Sequence, residues 1–272
     1  MDSEAQNPTS AKTNAIIIPR IPQEIIDEIL DHLAADPSEL ISLRSCSLVS
    51  KSWVPSCQRH LFYAVSFTSR YMDKWLKTFL APEESPAHYV RDLFVWIGGR
   101  DRVPEVFFEY TLCAWFTNAE NVTLFGHGGG PPSRTPSLWK LPQSITSLTT
   151  TTDMVTLVQI RDIMMQLPNL NDLSLSGSLI PVDRSALLGI GATLKGRFSG
   201  ELHLYGGYAD NNLMNMLLEV PTQLNFTAVQ VCATYQCLLS TARLVEACGK
   251  TLVKILYSVS CLGKPHPLFW FN

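Results

Sequence analysis

Charge is scarce in this 272-residue chain. Only 17% of its residues are Asp, Glu, Lys or Arg, whereas typical soluble domains contain about 25%. The formal net charge is −3, and no run of Lys and Arg occurs. The chain therefore lacks the basic stripe that nucleic-acid binding requires, and we expect no nucleic-acid partner.

Long apolar runs are also missing, although 46% of the residues are hydrophobic. No run approaches the roughly 20 residues that a membrane-spanning helix needs, so we expect no membrane segment. The first residues, MDSEAQNPTSAKT, lack the basic start and apolar stretch of a secretory signal. We predict a flexible tail over residues 1–19 and a location in the cytoplasm, the nucleus or both.

Cysteine and histidine patterns for disulfides or metals are absent. The seven cysteines are odd in number and contain no Cys-x-x-Cys, which favours reduced, buried thiols in an intracellular protein. The six histidines form no His-x-x-x-His and no Cys/His pairing. We therefore expect neither a metal site nor a cofactor.

Catalytic motifs are present only as fragments. The sequence His127-Gly128-Gly129-Gly130 is typical of the oxyanion loop of some esterases, but no Gly-x-Ser-x-Gly elbow accompanies it, and a surface loop is predicted instead. Gly249-Lys250-Thr251 lacks the leading glycine of a phosphate-binding loop, and Gly249 is predicted to end a helix. Gly189-x-Gly191 lacks the third glycine of a dinucleotide fingerprint. We predict that the chain is not an enzyme, and a hydrolase is the least favoured alternative.

Three helical patterns follow one another between residues 21 and 57. Pro22 is predicted at the first helical position, and the apolar residues after it share one broad face: Ile25, Ile26, Ile29, Leu30 and Leu33. Asp36, Pro37 and Glu39 form a second start signal, after which Leu40 and Leu43 carry the helix. A third helix is predicted through Leu48, Val49, Trp53 and Cys57, bent or shortened by Pro55.

These helices contain more apolar residues than so small a unit can bury. About 40 residues is near the size below which one core rarely supports folding without a partner. Burying one Ile, Leu or Val is worth roughly 1.5–3 kcal/mol, so four or five of them could supply most of a micromolar to nanomolar interface. We expect a few anchors, Trp53 among them, to dominate binding.

The same stretch resembles an F-box, over residues 20–60. The resemblance is carried by Ile21-Pro22-x-Glu24-Ile25-Ile26-x-x-Ile29-Leu30-x-x-Leu33 and by Leu43-x-x-Cys46-x-Leu48-Val49-Ser50-Lys51-Ser52-Trp53. Ile21 stands where the family more often has Leu, and Ser50 where it often has Cys. The resemblance implies docking on the linker protein of an SCF-type cullin-RING ubiquitin ligase, and through it on the cullin scaffold. The implied linker contacts are Pro22, Ile25, Ile29, Leu33, Leu43, Cys46, Val49 and Trp53.

Residues 61–89 are predicted to connect and cap. The segment His60 to Phe67 has the alternation of a short strand, and apolar residues from Tyr71 to Leu80 have helical spacing. Residues 90–272 then repeat a short apolar strand followed by a variable segment. Its register positions are 29, 24, 27, 29, 27 and 25 residues apart, at Val95, Leu124, Leu148, Leu175, Leu204, Val231 and Leu256.

This spacing is typical of leucine-rich repeats, and Leu167 to Leu175 resembles their consensus. The chain is accordingly similar to F-box proteins of the fungal, leucine-rich-repeat-like class. We predict an α/β fold: a three-helix F-box, then a degenerate solenoid with a parallel sheet. The aromatic end, Pro265 to Asn272, contains no polar cap. We expect that it is truncated rather than folded back over the last strand.

The expected function is that of a non-catalytic substrate receptor. The F-box would hold the ligase linker, while the repeats present an unidentified client protein at high effective concentration. Four polar residues between buried strand positions are candidate client contacts: Thr123, Ser174, His203 and Tyr205. The alternative is a repeat scaffold for protein interaction that does not assemble into a ligase.

Overall fold

The computed structural model describes residues 21–96, 112–126, 140–152, 156–177, 199–206, 210–219, 224–261, 264–265 and 269–271. The chain divides into two compact units, Met1–Cys57 and Gln58–Asn272. The fold is α/β, as predicted, and eight of its strands lie parallel in one sheet. The predicted tail, the loop at 127–136 and the glycines at 189–191 lie outside the described residues.

The first described helix of the N-terminal unit is α1 (Gln23–Ala34). Pro22 is its N-cap, one position before the first helical residue at which it was predicted. The predicted second start signal is confirmed: the Asp36 carboxylate accepts a hydrogen bond from the backbone N–H of Ser38 at 2.9 Å. A 3₁₀ turn and helix α2 (Leu40–Cys46) follow, and helix α3 covers Val54–Leu61.

The prediction for the third helix was wrong about where it begins. Residues 47–53 form turns, with the N–H of Leu48 bonded to the carbonyl of Ser45 and that of Val49 to Cys46. Helix α3 starts only at Val54, so Pro55 lies in its first turn. A missing N–H costs nothing there, because the first N–H groups of a helix have no partner within it. Pro55 is therefore accommodated in the first turn of α3 and does not bend the helix.

The second unit begins at Gln58, within helix α3, and its first strand is β1 (Ala64–Phe67). His60 and Leu61 belong to α3 and not to the predicted strand. Helix α4 (Ser69–Thr78) matches the predicted amphipathic helix. Its Trp75 ring meets Phe67 edge-on at 5.3 Å between ring centroids and approaches Phe116 at 6.0 Å. Helix α4 thus covers the core at the first strand.

The remaining strands follow in spatial order along the sheet. Their bounds are β2 (Asp92–Trp96), β3 (Asn121–Gly126), β4 (Ser147–Thr152), β5 (Asp172–Gly177), β6 (Ser199–Gly206), β7 (Asn225–Ala233), β8 (Lys254–Cys261), β9 (Lys264–Pro265) and β10 (Phe269–Phe271). The helices between them are α5 (Leu112–Trp115), α6 (Leu157–Gln166), α7 (Asn211–Leu218) and α8 (Leu238–Cys248). Gly249 follows α8 with a φ of +48°, as predicted for a helix end.

One backbone contact recurs at the start of successive strands. The carbonyl oxygen of Tyr63 accepts hydrogen bonds from the N–H groups of both Arg91 and Asp92, at 2.9 and 3.0 Å. The same double contact occurs at the starts of the next three strands, with the carbonyls of Arg91, Glu120 and Thr146 as acceptors. The residue before one strand therefore positions the start of the next strand through an equivalent backbone carbonyl.

The observed register corrects two of the predicted repeat positions. One continuous row of paired residues runs Phe67, Val95, Leu124, Thr150, Leu175, Leu204, Val231 and Tyr257. Leu148 pairs with Val122 and Leu256 with Gln230, so neither belongs to this row. The predicted register positions were chosen because they are apolar, and Thr150 was missed because it is the one residue of this row that is not hydrophobic.

The core lies on one side of the sheet. In β2–β5 buried and half-buried residues alternate, as expected of strands with one covered face, and the same alternation covers most of β6 and β7. Apolar side chains of α6, α7 and α8 complete this core, Ile160, Leu213 and Leu244 among them. At the far end, β10 pairs antiparallel with β8, so Phe269–Phe271 fold back along the last long strand, which was not expected from the sequence.

In the described part of the chain, no helix is both long and apolar enough to cross a membrane. The longest, α1, has 12 residues. A membrane span needs about 20.

Replacing Thr150 with Val should stabilise the second unit. The Thr150 hydroxyl is buried and has no hydrogen-bond partner. An unsatisfied buried polar group costs roughly 1–3 kcal/mol, so Thr150→Val should raise the free energy of unfolding by about 1 kcal/mol in urea denaturation. The matched control is Thr149→Val on the half-buried opposite face, with an effect within about 0.5 kcal/mol. A loss of stability in Thr150→Val would contradict this account of the core.

Candidate protein-docking surfaces

The N-terminal unit buries few apolar side chains. Helix α1 contributes Ile26 and Leu30, which lie one turn apart, while α2 and α3 add Leu43 and Cys57. The Asp27 carboxylate accepts a hydrogen bond from the Ser56 hydroxyl at 2.6 Å and so ties α1 to the start of α3. This small core holds the three helices together.

A larger set of aliphatic side chains in the same unit is exposed. Ile25 is 46% and Ile29 48% exposed, and they also lie one turn apart on α1. In the turn after α2, Leu48 is 87% and Val49 67% exposed. We call the exposed aliphatic residues of this unit the N-terminal apolar set: Ile21, Ile25, Ile29, Leu40, Ile41, Leu48 and Val49. Single exposed aliphatics are ordinary, but seven between residues 21 and 49 are not.

The predicted linker contacts differ in how much surface they present. Pro22, Ile25, Ile29 and Val49 are exposed, whereas Leu33, Cys46 and Trp53 are half-buried. Leu43 is fully buried, so its side chain offers no free surface in this structure. The sequence reasoning omitted Ile41, which is 73% exposed on α2, because it falls outside the spacing of Leu40 and Leu43.

The two cysteines of this unit are neighbours in the fold. Burial raises the pKa of the Cys57 thiol, and nearby Cys46 raises it further. Both effects disfavour the thiolate, which is the reactive form of cysteine. Cys57 is therefore a packing residue.

The side of the sheet opposite the core carries three rows of half-buried or exposed side chains, which we call the outer sheet face. The first row is Asp92, Asn121, Ser147, Asp172, Glu201 and Ala228. The second is Phe94, Thr123, Thr149, Ser174, His203 and Gln230, and the third is Trp96, Phe125, Thr151, Ser176, Tyr205 and Cys232.

The four predicted client contacts all lie on this face. Thr123, Ser174 and His203 share the second row, and Tyr205 lies in the third. The strand pairing Thr123–Thr149–Ser174–His203 runs across four successive strands and places these three residues in one line. The structure thus brings residues that are distant in the sequence into one line across the sheet.

His203 is the centre of a polar cluster. Its Nε2 lies 2.9 Å from Glu201 Oε2, and its Nδ1 lies 3.1 Å from Gln230 Oε1 and 3.3 Å from the Tyr205 hydroxyl. Burial raises the pKa of Tyr205, and the neighbouring Cys232 adds to the shift, so this hydroxyl stays protonated at neutral pH. The cluster fixes both predicted contacts in defined positions.

Three aromatic rings lie at the opposite end of the same face. Phe125 stacks on Trp96 with centroids 5.2 Å apart and on Phe94 at 6.2 Å, with interplanar angles of 26° and 22°. All three rings are half-buried. Sequence reasoning missed them, although Phe94 and Trp96 are two residues apart on one strand, the spacing of side chains on one face.

Among the residues that the structure describes, no three His, Cys, Asp or Glu side chains are grouped so that they could hold a metal ion. Comparisons of the chain with protein-family models, with curated proteins and with solved structures found no match. The functional interpretation therefore rests on the residues and surfaces described above.

Adjacent residues of α1 should differ sharply in their effect on folding. Leu30 is fully buried and Ile29 about half exposed. Leu30→Ala should destabilise the N-terminal unit by about 2–5 kcal/mol, whereas Ile29→Ala should destabilise it by less than about 1 kcal/mol. We expect the loss at Leu30 to unfold the unit, because its core is small. Hydrogen exchange of the α1 amides in the whole chain measures both. Equal loss of protection in the two variants would show that Ile29 is part of the core.

Proposed function

We propose that this chain is a substrate-recognition adaptor of an SCF-type cullin-RING ubiquitin ligase. In this proposal the N-terminal unit is an F-box that docks on the ligase linker protein. The second unit is a leucine-rich-repeat-like solenoid that holds a client protein. The chain itself catalyses nothing, and it acts in the cytoplasm, the nucleus or both.

The observation that carries the proposal is the N-terminal apolar set. Its members coincide in part with the positions at which the F-box resemblance implies linker contacts: Ile25, Ile29 and Val49 are exposed aliphatic residues. Exposing them to water is unfavourable, and the unit's own small core cannot accommodate them. Another protein that covers them would relieve this cost.

Burying this set would supply a large part of the free energy that a micromolar complex needs. Removing the exposed fractions of Ile25, Ile29, Leu48 and Val49 from water is worth roughly 4–7 kcal/mol, by scaling the value for full burial of such side chains. A micromolar complex needs about 8 kcal/mol, and the entropy of association must be overcome as well. The half-buried Trp53 and the remaining aliphatic residues of the set are the candidates for the difference.

Two features of the second unit support the solenoid. Its paired register positions recur every 25 to 29 residues, within the 20–29 residue period of leucine-rich repeats. The recurrent carbonyl contact at the strand starts makes successive units structurally equivalent. Such units bury their apolar sides only by stacking, and they leave the opposite sheet face free for a client. Tethering a client in this way raises its effective concentration near the ubiquitin-conjugating enzyme.

Ile29→Asp should abolish binding of the linker protein. A carboxylate forced into an apolar interface costs several kcal/mol, so we expect affinity to fall at least about a hundredfold in a pull-down with purified linker. Circular dichroism checks that the variant is folded. Trp53→Ala should also lose the linker, whereas Pro22→Ala should have a mild effect.

The matched control is Val253→Asp, which places the same charge at an 87% exposed aliphatic position of the second unit. It should bind the linker as the natural chain does. Undiminished linker recovery with Ile29→Asp would contradict the adaptor function. That result would favour the alternative of a repeat scaffold outside any ligase.

A further inference from the structure

The outer sheet face carries charge of one sign. On strands β2–β7 its acidic side chains are Asp92, Asp172 and Glu201, and none of the described positions in its three rows is Lys or Arg. On the next strand, β8, Lys254 pairs with Ala228 and lies in line with the first row, just beyond its end. Among the described side chains, no Lys or Arg forms an ion pair with these carboxylates.

Hydrogen bonds hold the three carboxylates in place. Asp92 accepts from the Asn121 side-chain amide at 2.7 Å, and Asp172 accepts from the backbone N–H of Glu201 at 2.9 Å. Glu201 in turn contacts His203 at 2.9 Å. These contacts orient the carboxylates but supply no positive charge from Lys or Arg, so the described side chains of the face carry a negative formal charge.

The same face offers an apolar subsite beside the acidic row. The stacked rings of Phe94, Trp96 and Phe125 are half-buried, and Asp92 is on the same strand as two of them. Aromatic faces attract both apolar groups and the cations of Lys and Arg. In the second and third rows, the side chains between the rings and the His203 cluster all carry hydroxyl groups, which can bond a peptide backbone: Thr123, Thr149, Thr151, Ser174 and Ser176.

We propose that the outer sheet face binds a basic segment of a client protein that also carries an aromatic or large aliphatic side chain. The apolar side chain lies against the Phe94–Trp96–Phe125 rings, and Lys or Arg side chains pair with Asp92, Asp172 and Glu201. Strand β6 is four strand spacings from β2, roughly 19 Å, which an extended peptide of about six residues spans. That the segment belongs to a ubiquitination client rests on the proposed function.

A peptide array tests this inference with the purified full-length chain. It carries 12-residue peptides in which the number of Lys and Arg residues and the presence of one Trp vary independently, with Glu-substituted counterparts. The chain should be retained by peptides that are both basic and Trp-containing. For the best of them, fluorescence anisotropy should give an affinity that falls as salt rises, because exposed charge pairs are screened.

Charge-neutralising substitutions identify the surface. The triple variant Asp92→Asn, Asp172→Asn and Glu201→Gln keeps a carbonyl acceptor for each hydrogen bond described above, so it should fold. It should bind the selected peptide about three- to tenfold more weakly, since exposed ion pairs contribute modestly. Phe125→Ser should weaken binding of the Trp peptide and leave that of its Ala counterpart unchanged. Glu246→Gln on α8 and Tyr71→Ser on α4, both exposed elsewhere, should have no effect.

Two results would overturn the inference: retention of acidic peptides as strong as that of basic ones, or no retention of any peptide on the array. Unchanged affinity in the triple variant would likewise overturn it. None of these results bears on linker binding, which involves the N-terminal apolar set. Conversely, loss of the adaptor function would leave peptide binding by the outer sheet face intact.

Discussion

Apolar side chains that a small unit cannot bury by itself determine how this molecule is organised. In the second unit each strand and its following segment are too short to form a core, and stacking buries one side of the sheet as a continuous row from Phe67 to Tyr257. The N-terminal unit has the same excess, but seven aliphatic side chains between residues 21 and 49 stay exposed. Burial of the apolar side chains of the second unit accounts for its fold, and the exposed apolar side chains of the N-terminal unit are the basis for the proposed binding partner.

Much of the architecture could be predicted from the sequence because it depends on periodicity. The parallel sheet, helix α4 and the Asp36 start signal follow from spacing and capping chemistry alone. The register could not be read correctly at Thr150, since a hydrophobic search cannot find a polar residue that occupies an aliphatic position. The start of α3 was missed because the apolar spacing of Leu48 and Val49 continues through residues that form turns.

Surface properties were harder to predict than buried ones. The sequence placed Thr123, Ser174 and His203 on one face, and the strand pairing puts them in one row. It gave no indication that Gln230 contacts His203, or that Phe94 and Phe125 stack, because these contacts join neighbouring strands whose paired residues are 27 to 29 positions apart. Leu43 was predicted as a linker contact but is buried. A pattern of apolar residues does not distinguish side chains that form the core from side chains that face a partner.

The central claim is that the N-terminal apolar set is covered by the ligase linker protein. Methyl-resolved NMR of the full chain, labelled at Ile, Leu and Val and titrated with purified linker, tests it most directly. The account predicts that the methyl signals of Ile25, Ile29, Leu48 and Val49 shift and saturate at one equivalent, while those of Val229 and Val231 in the sheet core stay in place. Unchanged signals from all four residues at saturating linker would contradict it.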